Sequence, residues 1–70
     1  MKMNWRDGIY EGEVFGQFPN GEGRFENEKG VYIGNWTNGV LNGDVFFTNK
    51  KGEAYKLFYE NDKIKSYRFI

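Results

Sequence analysis

The chain has 70 residues, with 10 Lys and Arg balanced by 10 Asp and Glu, no Cys, no His, one Pro, 10 Gly, seven Phe, five Tyr and two Trp. Without thiolate or imidazole it cannot build a thiol nucleophile, a Ser-His-Asp relay, an iron–sulfur site or a structural zinc site, and without a basic excess it is ill suited to neutralising a nucleic-acid backbone. No apolar run approaches the ~20 residues of a membrane-spanning helix, and Met1-Lys2-Met3-Asn4-Trp5 is too polar for a secretory signal, so a cytoplasmic setting is expected.

Residues 22 apart match one another along the chain: Gly8, Gly30 and Gly52; Tyr10, Tyr32 and Ala54; Gly12, Gly34 and Lys56; Phe25, Phe47 and Phe69. Within each unit the matched positions advance by two, which is strand periodicity. In chain order the predicted strands are 1–5 with Met1 and Met3, 8–15 with Tyr10 and Val14, and 21–27 with Gly21, Gly23 and Phe25. Strands 30–37 with Tyr32 and Trp36, 43–48 with Gly43, Val45 and Phe47, 52–60 with Phe58, and 63–70 with Tyr67 and Phe69 follow. No segment has the length or period of a helix. One domain, residues 1–70, holds about three units, with a partial unit at 1–7.

Asn27-Glu28-Lys29-Gly30 and Asn49-Lys50-Lys51-Gly52 fit type I turns, Asn capping the first position and Gly accepting positive φ at the last. The alternate connections are predicted as wider loops, Gly16 to Asn20 and Asn38 to Asn42, with Asn61-Asp62 closing the last hairpin. Setting Asn27 opposite Gly30 and Asn49 opposite Gly52 gives three lanes on one face. The first runs Met3, Tyr10, Phe25, Tyr32, Phe47, Ala54, Phe69; the second Val14, Gly21, Trp36, Gly43, Phe58, Lys65; the third Met1, Gly12, Gly23, Gly34, Val45, Lys56, Tyr67. In that register Trp36 lies between Gly21 and Gly43, whose bare backbones leave room for its indole.

Tyr32-x-Gly34-x-Trp36-x-x-Gly39-x-x-x-Gly43 resembles the MORN (membrane occupation and recognition nexus) repeat. The unit at Tyr10 keeps Gly12, Gly21 and Gly23 but has Val14 for the Trp, and the unit at Ala54 keeps aromatic Phe58 and Tyr59-Glu60-Asn61-Asp62-Lys63. The resemblance covers nearly the whole chain. It implies an all-β, single-layer, curved antiparallel meander of 22-residue hairpins. It also implies a non-enzymatic interaction or scaffold role, as in cytoskeletal assemblies and lipid-kinase accessory regions, with no cofactor.

The expected protein-binding surface is the aromatic face, Tyr10, Phe25, Tyr32, Trp36, Phe47 and Phe58, because aligned rings carry interface energy at little entropic cost. An alternative is an outer apolar patch of Ile33, Phe46, Tyr55 and Leu57 on the otherwise polar face. Residues 1–35 hold four basic and six acidic groups and residues 36–70 the reverse, with Lys56 and Lys65 replacing glycines. Those two lysines are candidate anion contacts, and a phosphoinositide or membrane-surface binder is one alternative reading. An antitoxin-like or immunity-like binder is another. Unpaired edge strands add self-association as a route to assembly. Glu11, Glu13, Glu26 and Glu28 read as solvated carboxylates rather than acid and base catalysts, and Gly21-Glu22-Gly23 lacks the third glycine and the helix of a dinucleotide loop.

Overall fold

A computed structural model describes residues 1–70 as β1 (Lys2–Trp5), β2 (Gly8–Phe15), β3 (Phe18–Asn27), β4 (Gly30–Thr37), β5 (Val40–Asn49), β6 (Ala54–Glu60) and β7 (Lys63–Phe69). All seven join one antiparallel sheet in chain order, so the expected all-β, single-layer meander is the fold. No helix is long and apolar enough to cross a membrane. Two connections are tighter than the sequence reading had them. Thr37-Asn38-Gly39-Val40 is a two-residue hairpin with φ of 50° at Asn38 and 85° at Gly39, and Phe15-Gly16-Gln17-Phe18 turns on Gly16 at 63°. Positive φ at these positions matches the twist of the flanking strands, so β3 and β5 begin at Phe18 and Val40 instead of after a wide loop.

The residues saved in the turns reappear as bulges. Register shifts between Gly12 and Val14, between Gly34 and Asn35, and between Phe58 and Tyr59, at corresponding places in successive units. At the first, the extra residues are on β3, where Asn20, Gly21 and Glu22 stand against Glu13 alone, and the Glu13 carboxylate accepts the Glu22 N–H at 2.6 Å. The second bulge corrects the expected surroundings of Trp36, which lies opposite Gly21 on β3 but opposite Leu41, not Gly43, on β5. Room for the indole is therefore not what Gly43 supplies, because a Cβ built there meets nothing within 4 Å. Gly21 and Gly43 are needed for their left-handed backbone, with φ of 104° and 83°. The close approach lies at Gly23, where a Cβ would run into the Tyr10 ring.

A second correction concerns β6. Phe47 faces Tyr55 rather than Ala54, Val45 faces Leu57, and Gly43 faces Tyr59. The cause is one extra loop residue. Asn49 pairs with Glu53 through Asn49 N–H to Glu53 O at 3.0 Å, and the Asn49 side-chain oxygen accepts from the Lys51 and Glu53 N–H groups at 3.0 Å each. The three-residue loop closes on Gly52 at φ 90°, a type I turn followed by a left-handed residue. A shift of one residue exchanges the faces of a strand. Tyr55, Leu57 and Tyr59 thus join the aromatic face, whereas Lys56 and Phe58 leave it. Burial of Leu57 and Tyr59 favours this register over one that would turn Lys56 inward. β7 keeps its expected face at Tyr67 and Phe69, opposite Leu57 and Tyr55, but Lys65 is the extra residue of the third bulge, and Ile64, opposite Tyr59, takes the place expected for it.

The sheet is open but curls across its diagonal to 34 × 22 × 16 Å. Arg6 in the first turn reaches Asp62 in the last, Nη1 to Oδ2 at 2.8 Å, and the Asp62 N–H donates to Leu41 O at 3.2 Å. Trp5 packs edge-on against Phe18 with ring centroids 5.8 Å apart. Inside the curl lie Tyr10, Phe25, Trp36, Leu41, Val45, Leu57 and Tyr59, the whole of the buried apolar core. Gly21→Val and Gly43→Val should each lower stability by about 1–2 kcal/mol through left-handed strain, whereas Glu11→Val should stay within about 0.5 kcal/mol. Urea midpoints measure this, and Gly43→Val is the cleaner case because no neighbour crowds it.

Candidate functional site

The curl divides the six residues expected to face a partner. Tyr10, Phe25 and Trp36 are 0%, 6% and 4% exposed, so they form the core. Trp36 stands edge-on to Tyr10 at 5.3 Å and to Phe25 at 5.7 Å, while the Tyr10 hydroxyl donates to Glu13 O at 2.6 Å. Phe58 lies on the opposite face, carried there by the β6 register. Only Tyr32 and Phe47 stay half-buried on the aromatic face, their rings 4.5 Å apart.

Two residues absent from the expected surface extend this pair. Phe47 meets Tyr55 at 6.3 Å, and Tyr55 meets Phe69 at 5.2 Å, so a ladder of four rings runs from β4 to β7. Beside it an open groove of about 370 Å³ is lined by Tyr32, Phe47, Tyr55, Leu57 and Ile64, with Lys29 and Asn49 at its end. The sequence carries a signal for this in the alternation Tyr55, Leu57, Tyr59, which an inward-facing strand would show.

The outer patch survives in part. Ile33 and Phe46 are cross-strand partners, 51% and 53% exposed, but Tyr55 and Leu57 face the other way. Lys56 takes the place beside Phe46, its ammonium 6.0 Å from the ring centre and 3.8 Å from the Asp44 carboxylate. Lys65 lies 3.5 Å from Glu60. Each candidate anion contact thus already faces a carboxylate.

A second cleft, of about 230 Å³, opens where the first and last turns meet, with Arg6, Asp7, Tyr32, Trp36, Tyr59 and Asp62 among its walls. Burial, then the nearby Tyr32 and Asp62, pushes the Tyr59 phenol up to about 12. Burial and Asp7 raise that of Tyr32, and burial and Glu13 that of Tyr10. All three shifts run away from neutrality, so these phenols remain hydrogen-bond donors rather than proton-transfer groups at neutral pH. No group of three or more His, Cys, Asp or Glu comes together to hold a metal ion.

No family model matches the chain, and no curated protein and no solved structure matches it either. The site therefore rests on its own geometry.

Tyr59 supplies a pH test of that geometry. Its folded proton affinity is raised from 10.0 to about 12, so the unfolded chain loses this proton first as pH rises. Stability should be unaffected below the lower value and fall through the window between the two. Urea midpoints compared at about pH 9 and about pH 11 should show the drop, and Tyr59→Phe should make it smaller.

Proposed function

We propose that the chain is a non-enzymatic interaction module of the MORN type, acting in the cytoplasm as a small structural subunit of a larger assembly. It binds a protein partner through the open part of its aromatic face: Tyr32, Phe47, Tyr55 and Phe69. The observation that carries this reading is the four-ring ladder, held in line by strand pairing and left uncovered beside its groove. Rings fixed in this way bury large area on binding without losing much side-chain freedom. The absence of catalysis is part of the same proposal. It draws on carboxylates spread over open strand surfaces and on tyrosines shifted toward permanent protonation.

Cross-linking and pull-down at native expression level would identify the partner. Tyr55→Ser and Phe69→Ser, checked as folded, should weaken its capture at least about tenfold, the scale of an interface anchor. Phe46→Ser should leave capture intact. The opposite pattern would move the contact to Ile33 and Phe46.

Membrane-surface binding makes a different demand. A basic residue near an anionic leaflet contributes about 1 kcal/mol, and both Lys56 and Lys65 are already matched with carboxylates. Sedimentation with anionic liposomes should be weak and salt-sensitive, and Lys56→Glu/Lys65→Glu should leave protein capture unchanged. Tight sedimentation at physiological salt, lost in that double variant, would favour the lipid reading.

A further inference from the structure

We infer that the cleft between the first and last turns is a receptor for a guanidinium group, an arginine side chain on a partner protein, and that Arg6 holds its place in the unbound chain. This site is separate from the aromatic ladder and shares only Tyr32 with it.

The cleft already shows which group it accepts. The Arg6 guanidinium lies against Asp62 at 2.8 Å and 5.8 Å from the centre of the Trp5 ring, so a planar cation with a carboxylate partner fits at its mouth. The hold is weak. The Arg6 and Asp62 side chains are 47% and 33% exposed, and an ion pair open to water contributes little to stability. Both residues also sit in left-handed backbone, with φ of 52° and 68°. A second guanidinium can therefore exchange for the first at small cost.

Two further observations leave the cleft incompletely satisfied. Asp7 shares it with Asp62 but has no cation of its own, its sole side-chain partner being the Asn27 amide at 3.4 Å. The cleft thus holds two carboxylates and one internal cation, which is paired with Asp62 alone. Trp36 lines the same cleft and is 4% exposed, yet its indole N–H has no acceptor. A buried donor without a partner favours any ligand that brings an acceptor. An arginine residue within a peptide supplies both needs, a cation for Asp7 and Asp62 and a carbonyl beside it. Tyr32, Trp36 and Tyr59 among its walls make the cleft largely aromatic, and the Arg6 guanidinium already lies over the Trp5 ring beside it. Guanidinium suits such a site better than ammonium, being planar, more weakly hydrated and able to bond two carboxylates at once.

The test is a nuclear magnetic resonance titration of the full chain with N-acetyl-arginine methylamide, following the two indole N–H resonances. The matching norleucine compound is the control. The arginine probe should shift the Trp36 indole signal and the norleucine compound should not. Asp7→Asn, which leaves the Arg6 to Asp62 pair in place, should weaken the response about threefold or more, the scale of one exposed charge contact. Arg6→Ala should strengthen it by a similar factor, because the internal competitor is gone. Phe69→Ser should change nothing, so failure here is distinguishable from failure of the ladder as the protein-binding surface. Equal shifts with norleucine, no response to arginine, or an unchanged response in Asp7→Asn would each overturn the inference. Should Arg6→Ala not fold, Asp7→Asn decides alone.

Discussion

A single β-sheet has no second layer to cover its apolar face, so every dry side chain in this protein depends on the sheet curling over itself. The bulges on β3 and β5, which contain the left-handed Gly21 and Gly43, accompany that bend. Bulged strands bend and twist more than regular ones. The curl encloses Tyr10 and Val45 completely while leaving β7 exposed along its whole length. One half of the aromatic face is thus spent on holding the fold, and the other half remains open.

The division into a closed and an open half gives the functional reading its shape. Tyr10, Phe25 and Trp36 meet edge to face in the closed half, an arrangement that suits their ring electrostatics. Tyr32 stands at the border, touching the cleft near the turns on one side and Phe47 on the other. Surface and core are therefore continuous, and a change at Tyr32 would disturb both. Variants further along the ladder separate binding from folding more cleanly.

Much of this was legible in the sequence because the repeat fixes period, and period fixes strand and face. Met3, Tyr10, Phe25, Tyr32, Phe47 and Phe69 share a face as the two-residue spacing requires. What escaped was local and small in residue count. Asn49-Lys50-Lys51-Gly52 resembles Asn27-Glu28-Lys29-Gly30, yet the first closes a three-residue loop on Glu53 and the second a two-residue turn. Turn composition does not separate them, whereas the apolar alternation of Tyr55, Leu57 and Tyr59 does. The curl was hidden for another reason. It brings Arg6 to Asp62 across 56 residues, and a repeat describes neighbours only.

The pairing of each strand with its neighbour in the chain also governs how the molecule forms. Every strand pairs only with its neighbours in the chain, so hairpins such as the one at Asn38-Gly39 can close early and grow outward one strand at a time. The contacts between the first and last turns join residues far apart in sequence and require the intervening strands to be in place, so they belong to the end of the process. Interactions absent from the transition state act mainly on the rate of unfolding. The docking of the last turn on the sheet, where the Asp62 N–H meets Leu41 O, therefore works as a kinetic clasp, setting how long the curled state persists more than how quickly it is reached, and the water-exposed Arg6 to Asp62 pair adds little to it.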